Sequence, residues 1–175
     1  PIRGINSSTG IPNPPASIYV MALPFAIDLN PLTAIYFVMG LNVVGVGLLW
    51  LIAQRYFGRI VALVAGLTYA LSPWAILYSR KIWAQDYHTP FVLLGLLLGL
   101  YGFWEAQRRD KREGQRFALS WHEWAQVLCL PILLFGFQIH FAAWALAPLY
   151  GVLLLIGWRR LSLRALALSA IVSAI

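Results

Sequence analysis

The sequence predicts an all-α fold, a polytopic bundle of transmembrane helices, on three observations. Of its 175 residues, 61% are hydrophobic and 14% aromatic. Only 11% are charged, against about 25% in soluble domains. Apolar runs able to cross a hydrocarbon layer of roughly 30 Å recur along the chain, and a helix satisfies its own backbone polar groups there. The net charge of +7 invites a nucleic-acid reading. That reading fails, because the cations cluster beside the apolar runs, where membrane topology puts them. Cys129 is the single cysteine and lies inside an apolar run, so no disulfide framework is expected.

The elements follow in order. Residues 1–15 are rich in Gly, Pro, Asn and Ser and predict an irregular outer loop. Ala16–Ile27 is apolar but twelve residues long, with Pro24 near its end. That is too short to span, so an interfacial helix is expected, and the whole stretch 1–32 is placed outside the membrane. Asp28-Leu29-Asn30-Pro31 reads as a turn followed by a helix start. Spans are expected at about 33–54, 60–78 and 89–106, followed by a hydrophilic loop over 107–120. From Trp124 to Trp158 only Gln126, Gln138 and His140 are strongly polar. As one helix this run would be about 52 Å long. It therefore predicts two spans, about 121–138 and 142–158, turning near Gln138-Ile139-His140. A further span begins at 162 and is incomplete at 175. The chain opens at Pro1 without a Met and stops in an apolar run at Ile175. It is read as a piece of a larger membrane protein, one transmembrane domain truncated at both ends.

Cations set the orientation. Alternate crossings put Arg55, Arg59, Arg108, Arg109, Lys111, Arg112, Arg116, Arg159, Arg160 and Arg164 on one side and only Arg3, Arg80 and Lys81 on the other. The richer side is expected in the cytoplasm, with the 107–120 loop. The N-terminal loop, a polar island at Tyr78–His88 and the His140 turn then share the outer face. Small residues at four-residue spacing, Ala62/Gly66/Ala70 and Gly95/Gly99, predict close helix packing.

Candidate chemistry lies in that island, which holds Arg80, Lys81, Asp86 and His88 among aromatic residues. A carboxylate at a membrane surface can act as a base on an acceptor hydroxyl, or hold a divalent cation that binds phosphate. Arg80 and Lys81 suit a lipid phosphate. The plainer alternatives stand beside these: head-group attraction for the two cations, and a local ion pair for Asp86, worth little at an exposed site. A lone His140 at an apolar turn is more often a satisfied structural residue than a ligand. No P-loop, dinucleotide fingerprint or metalloprotease pattern occurs, so no nucleotide cofactor is expected.

The run Arg55-Tyr56-Phe57-Gly58-Arg59, an Ala-rich helix, Leu71-Ser72-Pro73-Trp74, then Tyr78-Ser79-Arg80-Lys81-Ile82-Trp83-Ala84-Gln85-Asp86 resembles the polyprenyl-phosphate-sugar-dependent glycosyltransferases of the GT-C superfamily. The branch is that of protein O-mannosyltransferases and lipid A aminoarabinose transferases. Pro14-Pro15-Ala16-Ser17-Ile18-Tyr19 into Ala22-Leu23-Pro24-Phe25 is similar to the end of that family's first large outer loop, and Gln138-Ile139-His140 before an apolar helix is similar to many bacterial members.

The resemblance implies a GT-C-like bundle in a bacterial plasma membrane. It implies sugar transfer, with inversion, from a polyprenyl-phosphate donor to an unidentified acceptor on the outer face. It implies Asp86 as the family's second acidic position and a catalytic residue. The donor's phosphate and sugar would meet Arg80, Lys81, His88, Gln138 and His140. A divalent metal near the carboxylates, Asp86 among them, is a further implication. The family's catalytic base in the first outer loop precedes the first residue of this chain, and Asp28 falls too late to replace it. A fragment with these bounds is therefore expected to be inactive by itself. Two other readings remain open: a transporter or flippase-like protein, and a non-catalytic subunit of a membrane assembly.

Overall fold

A computed structural model describes residues 4, 6, 10–105 and 119–174. The chain is mostly helical, with no strand among the described residues beyond an isolated bridge between Asn6 and Pro12. Three helices are long and apolar enough to cross a membrane: Pro31–Phe57, Trp121–Ile139 and Phe141–Arg160, the last including 3₁₀ turns. The basic loop, from Gln107 to Ala118, lies outside the described residues, as does Arg3. The chain forms two compact units, Pro1–Leu93 with Gly136–Phe141, and Leu94–Phe135 with Ala142–Ile175.

In the first unit α1 spans Ala16–Ile27 and α2 Pro31–Phe57. The turn between them is built by short side chains. Asp28 Oδ1 accepts from Asn30 N at 3.1 Å and Asp28 Oδ2 from Thr33 Oγ1 at 2.9 Å. Asn30 Oδ1 then caps α2 by accepting from Leu32 N at 3.0 Å, with Pro31 at the first helical position, where its missing N–H costs nothing. Gly58, at φ 95°, ends α2 in a conformation that side chains disfavour. Helix α3 (Arg59–Leu71) returns along α2, burying Ala62 and Gly66 and leaving Ile60, Leu63, Val64 and Leu67 exposed. Gly66 faces Trp50 of α2, and a Cβ there would meet the ring at 3.5 Å, an ordinary contact distance.

The stretch expected as one span over 60–78 divides at Ser72-Pro73. Pro73 cannot donate to the helix, and the residue before it is driven to extended backbone. Ser72 takes φ −60°, ψ 121°, and its hydroxyl caps α4 (Pro73–Tyr78). After a loop, α5 (Ala84–Tyr87) and α6 (Thr89–Gly99) follow. Val20, Met21, Val38, Ala84, Tyr87 and Ile139 form the buried core of this unit.

The second unit holds the end of α6, a π-helical turn at Leu100–Glu105, α7 (Trp121–Ile139) as far as Phe135, a 3₁₀ turn (Phe141–Leu146) from Ala142 on, α8 (Ala147–Gly157) and α9 (Leu163–Ser173). Ser120 and Glu123 start α7 with reciprocal bonds, Ser120 N to Glu123 Oε2 and Glu123 N to Ser120 Oγ. The apolar run 124–158 folds back on itself. Gln126, near the start of α7, donates through Nε2 to Gly102 O at 2.8 Å and Arg160 O at 3.2 Å, and accepts from Ser162 N at 3.1 Å. On a single straight helix residues 126 and 160 would be about 51 Å apart. Phe103, Cys129, Leu133 and Leu153 fill the core between these helices. Gly95 packs against Leu133, and Gly99 against Leu153 and Cys129.

Candidate functional site

The first unit brings three distant segments together. Tyr87, 1% exposed, donates its hydroxyl to Ser17 O at 2.8 Å, tying α5 to α1. Phe141 N donates to Asn13 Oδ1 at 3.3 Å, tying the segment after α7 to the N-terminal stretch. The rings of His88 and His140 lie 5.9 Å apart, and His140 stacks on Phe141 at 4.9 Å.

Asp86 sits among these contacts. The plainer alternative for Asp86, an exposed carboxylate in a local ion pair, is not what its surroundings show. Asp86 is 5% exposed, and among the described residues no cationic side chain pairs with it. Its Oδ2 is buried and accepts no hydrogen bond. Burial lifts the carboxyl to about 6, while the positive charge of Lys81 pulls the other way. The reason is local: α5 turns one residue past Trp83 and packs Ala84 and Tyr87 into the core, carrying Asp86 inward with them.

That turn cannot run on into α6. The carbonyl of Asp86 would look four residues ahead for its donor, and residue 90 is proline. Asn42 supplies the donor instead. Its Nδ2 lies 2.7 Å from Asp86 O and 3.0 Å from Val38 O, and Tyr69 OH donates to its Oδ1 at 3.4 Å. Asn42 does not stand out in the sequence as a site residue. The available signal was its cost: a lone amide in a 27-residue apolar helix needs partners. Asn13 was passed over too, yet it is 2% exposed.

His88 Nδ1 lies 2.8 Å from Gln85 O. A carbonyl only accepts, so Nδ1 is the donor in this bond. His140 is buried, and burial, then the neighbouring His88, hold its pKa below the usual imidazole value. Lys81 is exposed, with Nζ 4.6 Å from the Tyr78 ring centroid, and Tyr78 stacks on Trp74 at 5.7 Å. Arg80 is exposed, and its guanidinium makes no hydrogen bond or ion pair among the described residues. Gln138 is not drawn in: it is exposed on α7, next to Ile139, which faces the core. Thus Asp86, His88 and His140 gather in one region with Lys81 acting on Asp86, while Arg80 and Gln138 face outward.

Among the described residues no three His, Cys, Asp or Glu side chains group closely enough to hold a metal ion. Compared with known families, curated proteins and solved structures, the chain matches none.

Proposed function

We propose that the chain is the membrane portion of a glycosyltransferase that moves a sugar, with inversion, from a polyprenyl-phosphate donor to an acceptor on the outer face of a bacterial plasma membrane, with five crossings and the start of a sixth. The observation that carries this reading is the Asp86 carboxylate, buried, with one oxygen unpartnered and two exposed cations close by in sequence. A carboxyl lifted to about 6 exchanges its proton near neutral pH, as a group working on hydroxyls requires. The bare Oδ2 is an acceptor for a hydroxyl of the sugar or of the acceptor. Arg80 and Lys81, both exposed, neutralise the phosphate as its glycosidic bond breaks and its charge grows. His88 and His140 lie alongside as contacts for the donor. No step is assigned to a metal ion.

A second reading, a carrier for the same class of lipid, is favoured by one observation, the place of Asn42 in the middle of α2, where it holds the Asp86 carbonyl. Asn42 is about 16 Å along α2 from Pro31 and about 20 Å from Arg55. With Arg55 at the inner boundary of a hydrocarbon layer of roughly 30 Å, the pair lies about 10 Å below the outer boundary. Polar groups at such depth also suit a passage, and the break at Ser72-Pro73 suits one as well.

Reconstitution of the intact protein with a polyprenyl-phosphate sugar separates the two. Under the transferase reading Asp86→Asn and Arg80→Ala each lower sugar transfer by about tenfold or more, at least 1.4 kcal/mol of transition-state stabilisation. Near-wild-type transfer by both variants refutes it. The carrier reading instead expects no product at all, and loss of lipid movement between leaflets in Asp86→Asn.

A further inference from the structure

We infer that Asn42, braced by Tyr69, is a positioning residue: its side-chain amide replaces the backbone donor that Pro90 lacks and so keeps the Asp86 carboxylate buried. Three observations carry this. The first is the gap in the backbone accounting, since the helical partner of Asp86 O is a proline nitrogen. The second is the geometry of the amide. Nδ2 serves Asp86 O at 2.7 Å and Val38 O at 3.0 Å, and Oδ1 is met by Tyr69 OH at 3.4 Å, so α2, α3 and α5 share one polar knot. The third is the convergence of the segments at this point. A Cβ on Gly45, one turn from Asn42, would lie at ordinary contact distance from both Tyr69 Oη (3.6 Å) and Pro90 N (3.9 Å), so the hydroxyl and the proline nitrogen come to the same stretch of α2 as the amide.

The alternatives for α5 are poor. Without Asn42 the Asp86 carbonyl is left without a donor in an apolar interior, and an unpaired buried carbonyl drives its segment toward water. Tyr87 would still hold the next residue through Ser17 O, so the segment opens locally and does not unfold. Release would expose the carboxylate first. As a role in catalysis, this inference rests on the transferase reading above; as a statement about where Asp86 sits, it does not.

Asn42→Thr tests it. A threonine hydroxyl in a helix bonds back to the carbonyl four residues earlier, here Val38 O, so α2 stays satisfied while the bond to Asp86 O is lost. The intact protein in membranes is treated with a water-soluble carbodiimide and glycine ethyl ester. Peptide mass spectrometry then gives the labelling of Asp86 relative to Asp28, an exposed carboxylate that corrects for reagent and global opening. The ratio should rise about fivefold in Asn42→Thr, as loss of a buried hydrogen bond shifts a local opening equilibrium. In Tyr69→Phe it should rise less, about twofold, because a longer bond is removed. An unchanged ratio in Asn42→Thr overturns the inference. If that variant does not accumulate, an unchanged ratio in Tyr69→Phe overturns it instead. In the transfer assay Asn42→Thr should lower kcat with the donor KM within about twofold, the signature of a group acting only through another at the reacting centre. A raised label ratio with normal transfer by Asp86→Asn would leave the positioning intact and sink the transferase reading. A normal ratio with inactive Asp86→Asn would do the reverse.

Discussion

Replacing Asp86 by Asn should stabilise the protein at neutral pH, by an amount that grows with pH and then levels. The carboxyl has an ordinary value of 3.8 and is lifted by burial to about 6 in the folded chain. A raised carboxyl pKa means that the folded state binds the proton more tightly than the unfolded one. Stability from this group is therefore fully present below pH 3.8, is lost as pH rises through 6, and stays lost above. The gap between 3.8 and about 6 sets an upper bound of about 3 kcal/mol, which solvent screening beside the loop trims to about 1–2 kcal/mol, and about half of it is gone by pH 5. The amide variant carries no such titration, so the difference between the two proteins isolates the carboxyl from every other group. The assay is chemical or thermal unfolding of both proteins in the same detergent at intervals from about pH 4 to 8. The variant's advantage over wild type should increase by about 1–2 kcal/mol across that range, with most of the rise between about pH 4 and 6. A difference that is flat, or that falls with pH, would show that water reaches the carboxylate and that the buried geometry is wrong.

Two further outcomes follow from other parts of the molecule. Gln126→Leu removes the partners of Gly102 O, Arg160 O and Ser162 N at once, and leaving them unpaired in an apolar interior should cost roughly 2–5 kcal/mol. A variant whose unfolding midpoint matches wild type would mean that the fold-back of 124–158 does not depend on that side chain. Gly114→Cys, in a background with Cys129→Ala, should resist impermeant thiol reagents in intact cells and react after permeabilisation. Labelling from outside would invert the orientation argued from the cations.

Sequence composition by itself determined the class of this protein. A chain with so few charges and such long apolar runs has only helices open to it in lipid, and α2, α7 and the run after His140 are helices of the needed length and hydropathy. Local chemistry was legible as well. Asn30-Pro31 starts a helix, and Pro73 stops one, although the second of these signals was overrun by the apolar pattern around it. The length of the 124–158 run demanded a fold-back wherever its middle could turn, and the helix breaks at His140.

Only the tertiary structure decided what the isolated polar groups do. Composition reports that Asn42 and Gln126 are costly in an apolar helix, but their partners lie 44 residues away in one case and 24, 34 and 36 in the other. No window of sequence contains both ends of such a bond. Asp86 is the sharpest instance. Beside Lys81 and His88 it reads as a solvated loop charge, and nothing local contradicts that reading. Its burial follows from Ala84 and Tyr87 packing on Val38 and Ile139, from the proline at 90, and from an amide on another helix. Burial is a property of what surrounds a residue, and those surroundings are assembled from segments far apart in the chain.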